Sequence, residues 1–93
     1  VWCNPPYGRI VPTWIQKAKD EVKNNCTSVL LILSKTNTKW FHNLCMTANE
    51  IRFVKGRVKF IGATEGLPFP LMLVIFKAND NSECKISSYD WRI

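Results

Sequence analysis

The sequence predicts an α/β domain with a mainly parallel sheet, a final antiparallel pair and flanking helices. Three observations predict it. The runs Val29-Leu30-Leu31-Ile32-Leu33 and Leu71-Met72-Leu73-Val74-Ile75-Phe76 are continuously apolar. Without alternation, both faces of those strands need cover, as in a sheet flanked by helices. Two strand–helix–strand steps follow one another, which is the pattern of parallel sheets. The stretch before the last apolar run carries Gly56, Gly62, Gly66, Pro68 and Pro70 and no helical period, so its two flanking strands are expected to be antiparallel. About four strands are expected in a single domain over residues 1–93, with its core in 1–77. The polar tail, 78–93, has no assigned place.

The elements follow in order. Val1-Trp2-Cys3 is the end of a short apolar strand, stopped by Pro5 and Pro6, which cannot continue a ladder. A helix is predicted over 11–25, because Pro12 suits a first turn and Trp14, Ile15, Ala18 and Val22 recur at helical spacing. That period favours a core role for Trp14 over a role in base stacking. Strand 29–33 is followed by the polar loop Ser34-Lys35-Thr36-Asn37-Thr38, which also supplies a helix cap. The second helix is predicted over 39–48, with Phe41, Leu44, Cys45 and Ala48 as its apolar stripe and Trp40 and His42 off it. His42, the only histidine, has no second ligand or triad partner nearby and reads as a surface residue. Residues 50–54 form a third strand, 55–60 permit a short further one, and 71–76 form a second central strand.

Composition narrows the function. Nearly half of the 93 residues are hydrophobic (46%), which excludes a disordered chain. A formal charge of +6 suits a polyanionic partner or a merely soluble basic surface. Cys3, Cys26, Cys45 and Cys84 lie far apart, without CxxC or Cys/His pairing, so no metal site is expected. They read as reduced thiols of an intracellular protein. No leader pattern is visible, and no apolar run approaches the length of a bilayer span, so no membrane partner is expected. The chain opens without methionine, already inside a strand-like run, as a processed product or partial sequence would.

The motif that organises the reading is Asn4-Pro5-Pro6-Tyr7-Gly8. It is short and stiff, and holds an amide side chain, a proline-fixed carbonyl and an aromatic ring, ending at a glycine that lets the backbone turn. Such an arrangement suits a planar ligand bearing an amino group. Asn4 before proline also fits a plain turn, and Tyr7 could simply pack. Ligands of open parallel sheets sit outside the carboxyl ends of the strands. Lys35, Lys39, Lys55, Arg57 and Lys59 are therefore expected to gather beside this turn, with Trp40 as an aromatic neighbour, as contacts for nucleic acid: phosphates to the rim, a base to the pocket.

Asn-Pro-Pro-Tyr resembles the catalytic motif of S-adenosylmethionine-dependent amino methyltransferases. With Lys39-Trp40-Phe41-His42 and Lys55-Gly56-Arg57-Val58-Lys59-Phe60, the run Val1 to Gly8 resembles the phage-type DNA adenine methyltransferases, over residues 1–77. The tetrapeptide also occurs in methyltransferases acting on ribosomal RNA or protein glutamine; the three segments in this order are more specific. The resemblance implies a partial Rossmann-like methyltransferase sheet, double-stranded DNA as partner, S-adenosylmethionine as methyl donor and the 6-amino group of adenine as acceptor. It places the protein in the cytoplasm of a bacterial host, with phage or prophage origin.

The implied catalytic residues are Asn4, Pro5, Pro6 and Tyr7. The Asn4 amide oxygen and the Pro5 carbonyl would accept the two amine hydrogens, and Tyr7 would stack on a base flipped from the duplex. In the family the donor-binding half, with a glycine loop, precedes this motif; here it would lie before Val1. Little activity is therefore expected of the chain alone, and the sheet edge beside residues 1–3 is expected to be open to self-association. The competing readings are an RNA or glutamine methyltransferase, and a non-catalytic basic nucleic-acid-binding module or degenerate remnant.

Overall fold

The computed structural model describes residues 2–3, by backbone alone, and residues 11–56, 70–80 and 83–90. These form a mixed five-stranded sheet with two helices. The strands are β1 (Trp2–Cys3), β2 (Ser28–Leu33), β3 (Glu50–Val54), β4 (Leu71–Phe76) and β5 (Lys85–Tyr89); the helices are α1 (Val11–Glu21) and α2 (Lys39–Asn43). Short 3-10 turns, Val22–Asn24 and Cys45–Thr47, extend both helices. The helical stretches expected over 11–25 and 39–48 are thus present, each tightened in its last turn.

The strand order is β1-β2-β4-β3-β5. β1 pairs parallel with β2, and β3 with β5, while β4 is antiparallel to both β2 and β3. Four strands therefore share one direction and β4 alone opposes them. This corrects the expected order in two ways. The antiparallel strand does not end the sheet but lies between β2 and β3, and the tail left unplaced supplies a fifth strand. Hydrophobicity explains the sorting. β4 buries Leu71, Met72, Val74, Ile75 and Phe76, and a strand apolar on both faces belongs in the middle. β5, Lys-Ile-Ser-Ser-Tyr, is exposed throughout and takes the edge.

Register divides the sheet into two faces. On one, Leu30 stands beside Val74 and Ile51, and Ile32 beside Met72. These join Val11, Ile15 and Ala18 of α1 with Phe41, Cys45 and Ala48 of the second helical segment in one core. Both helices thus cover the same face, as two crossovers of one hand must when the strands advance in one direction. Each fully buried aliphatic side chain here stabilises by roughly 1.5–3 kcal/mol. On the other face Leu31, Leu71 and Ile75 are buried but lie outside the core that holds the helices.

Trp14 departs from the sequence reading. It is 37% exposed, with the Lys17 ammonium 5.9 Å from its ring centroid. Val11, Ile15 and Ala18 already form the contact stripe, and Trp14 lies about 100° around the helix from Ile15. The helix is therefore held by a narrower stripe than the four residues predicted.

Candidate active site and nucleic-acid interface

β1, β2, β3 and β5 all end on one edge of the sheet, so the loops that leave them share that edge. The loop after β1 carries Asn4, Pro5, Pro6 and Tyr7, which lie outside the described residues, as do Arg57 and Lys59. The loop after β2 is tightly built. Ser34 N donates to Pro70 O at 3.0 Å, Thr36 N to Ser34 O at 3.0 Å, and Thr38 N to Lys35 O at 3.2 Å. Thr38 caps α2 as its position predicts: its hydroxyl accepts from Phe41 N at 3.2 Å and donates to Lys35 O at 2.7 Å. Lys35 and Lys39 are exposed on either side of this cap. Lys55, just past β3, is exposed too, and its backbone N–H donates to Tyr89 O at 2.8 Å. None of the three lysines forms an ion pair with a described residue.

Trp40 is half-buried and packs against the core, although the helical stripe places it off the apolar face. The short α2 sits over the sheet edge, so a residue beside its cap reaches the core margin. With Val11, Leu33 and Lys35, Trp40 borders a small pocket of about 30 Å³. Val11 opens α1, so this pocket lies at the start of that helix. His42 is exposed and meets Phe41 edge-on, ring centroids 5.4 Å apart. Two roomier hollows, of about 650 and 600 Å³, run along α1 and at the opposite end of the sheet. Both are open depressions, and the larger size alone does not make them the site.

Two groups at the rim escaped the sequence reading. Ser34 Oγ is buried and has no hydrogen-bonding partner; a serine ending an apolar strand carries no signal of that. Unsatisfied buried hydroxyls are rare, and this one, without a partner among the described residues, lies at the carboxyl end of β2. Tyr89 ends β5 on the same edge, 40% exposed. The segment Lys85-Ile86-Ser87-Ser88-Tyr89 does not alternate, so no local pattern marked it.

The thiols lie elsewhere. Cys26, Cys45 and Cys84 are free, close to the opposite edge. Burial, helped by neighbouring Cys84, pushes the Cys45 thiol up to about 12. Burial and then the Glu50 carboxylate raise Cys84. Neutral thiols make poor nucleophiles, so neither fits a covalent role. Among the described residues no cluster of three or more His, Cys, Asp and Glu side chains could hold a metal ion, and no helix is long and apolar enough to cross a membrane.

Described residues do not provide a cradle for S-adenosylmethionine. Neither α1 nor α2 is preceded by a described glycine-rich turn; the loop into α2 is Ser34-Lys35-Thr36-Asn37-Thr38, with its backbone donors used internally. What the described residues offer at this edge is cations, a half-buried indole, a hydroxyl without a described partner and the carboxyl end of β1.

Comparison with known proteins gives the same direction. Residues 1–90 match the family model described as DNA N-6-adenine-methyltransferase (Dam). The chain is also similar to the DNA N-6-adenine-methyltransferase of Haemophilus phage HP1 (strain HP1c1), at 33% identity over 82 residues. That similarity covers 82% of this chain and 47% of the phage protein, so the chain spans about half its length. No solved structure matches. A family match across nearly the whole chain, beginning at the motif strand, makes this chain a member of the DNA N-6-adenine-methyltransferase family.

Proposed function

We propose that this chain supplies the C-terminal catalytic half of a DNA methyltransferase that modifies the 6-amino group of adenine in double-stranded DNA. The observation that carries the proposal is the shared edge: the loops after β2 and β3 leave the sheet where the motif loop leaves β1. One direction for β1, β2 and β3 also supports reading the sheet as part of a Rossmann-like methyltransferase sheet.

The chemistry asks for little beyond fixed acceptors. The exocyclic amine of adenine shares its lone pair with the ring and is a weak nucleophile. The Asn4 amide oxygen and the Pro5 carbonyl each accept one amine hydrogen and draw the nitrogen towards tetrahedral geometry. Pro6 keeps that corner rigid, and Tyr7 stacks on the flipped base. Lys35, Lys39, Lys55, Arg57 and Lys59 hold phosphates, and Trp40 lines the entry. The methyl donor is S-adenosylmethionine, bound by residues other than the described ones. A protein of this kind works in the cytoplasm of a bacterial host. Among the described strands β1 pairs with β2 alone, which supports self-association of the chain by itself.

The full-length protein should transfer labelled methyl groups to unmethylated duplex DNA, with the label recovered as N6-methyladenine. Asn4→Ala should reduce the rate at least about 100-fold, the scale for losing one transition-state acceptor. Undiminished transfer by Asn4→Ala, or label on RNA or glutamine, would rule the proposal out. The lack of a donor cradle among the described residues favours one second reading, a non-catalytic basic nucleic-acid-binding module or degenerate remnant. Tight duplex binding with no transfer by the full-length protein would select it.

A further inference from the structure

We infer that Tyr89 is a phosphate-contacting residue that, with Lys55, extends the DNA footprint beyond the motif loop to the far end of the sheet edge. The inference rests on the proposed DNA-binding function of that edge. Nothing in the motif segments includes Tyr89; only the pairing of β5 with β3 brings it to the rim. Its carbonyl accepts the Lys55 N–H at 2.8 Å and Tyr89 pairs in register with Val54, so the backbones of Lys55 and Tyr89 adjoin at the carboxyl ends of adjacent parallel strands. Both side chains are exposed. Lys55 has no ion-pair partner among the described residues. Asp90, the next acidic group, is half-buried and already engaged.

The chemistry of the pair suits a sugar–phosphate backbone. Lysine ammonium groups and tyrosine hydroxyls both bind phosphate oxygens, and such contacts fix register without reading sequence. The spacing gives the distance. Strands lie about 4.8 Å apart, and β3 and β5 are three and four strands from β1. Lys55 and Tyr89 therefore stand about 14 and 19 Å from the motif strand. For a duplex whose axis follows this edge, at 3.4 Å per base pair, that span corresponds to about four to six base pairs from the motif strand. The rim thus has a length as well as a charge: Lys35, Lys39 and Trp40 serve its near half, Lys55 and Tyr89 its far half.

The test is fluorescence anisotropy of the 93-residue chain with a labelled, unmethylated 24-base-pair duplex across a range of salt concentrations. Tyr89→Phe should weaken binding about three- to tenfold, the loss of one hydrogen bond to a charged oxygen, and leave the salt slope unchanged, since a hydroxyl releases no counterion. Lys55→Ala should flatten the slope by about 0.9. A merely structural role for Tyr89 would not separate affinity from slope in this way, and Tyr89→Phe preserves the ring and its packing. If Tyr89→Phe binds like the wild type while Lys39→Ala weakens binding, the inference fails and the proposed function stands. If the wild type does not bind DNA, both fail.

Discussion

The two ends of the sheet handle their polar groups in opposite ways. At the amino end of β3, Asn49 is 8% exposed and fully engaged. Its side chain donates to Asp80 O at 2.9 Å and accepts from Lys77 N at 2.7 Å. Its backbone donates to Ile75 O at 2.9 Å and accepts from Lys85 N at 3.0 Å. Glu50 beside it binds Arg52 at 3.0 Å and Lys77 at 2.6 Å. At the carboxyl end, Lys35, Lys39 and Lys55 form no ion pair with a described residue, and Ser34 Oγ has no hydrogen-bonding partner among the described residues. The bonds of Asn49 tie β3 to the end of β4 and to the start of β5, and the Glu50 charge is neutralised by its neighbours. Charges left without partners remain available to a ligand. The contrast separates stability from binding within a chain of one sheet.

Asn49→Ala tests that separation most severely. It leaves a backbone N–H and a carbonyl without partners, so a loss of about 2–4 kcal/mol is expected in chemical denaturation. DNA affinity per folded molecule should be unchanged. The converse variant, Lys35→Ala/Lys39→Ala/Lys55→Ala, should leave stability within about 0.5 kcal/mol and reduce the salt slope of duplex binding by about 2.7. A large stability loss in the triple variant would break the comparison. The smallest effect concerns pH. Hydrogen bonds from Lys77 and then Arg52 hold the Glu50 carboxyl below its usual range. A lowered folded value means that the stabilisation is present above the unfolded value of about 4.3. It is lost as pH falls through the folded value. Glu50→Gln should remove that acid-dependent part of the denaturation profile and leave the profile at neutral pH nearly flat.

How much of this was legible in advance varied by residue. β2 and β4 fell where their patterns put them to within a residue, since a continuous apolar run between turn residues has few other uses. Thr38 was readable as a cap because the chemistry is local. Trp14 was not, because helical period alone does not say how wide a stripe the neighbouring sheet can cover. Trp40 failed the other way: its position beside a short, capped helix turned it towards the core. Ser34 and Tyr89 had no sequence signal of function, since their importance comes from what lies beside them across the sheet.

The sequence by itself determined the motif, the family membership carried by its three segments, the apolar strands and the two helices that connect them. These depend on local sterics, hydrophobic period and residue chemistry, all of which act over a few positions. Only the tertiary structure decided that β4 enters between β2 and β3 and that residues 85–89 form the outer strand. Strand order depends on which pairing buries the most apolar surface, and that choice is made among segments far apart in the chain. The same choice puts Tyr89 next to Lys55 and leaves one edge of the sheet cationic and unpaired.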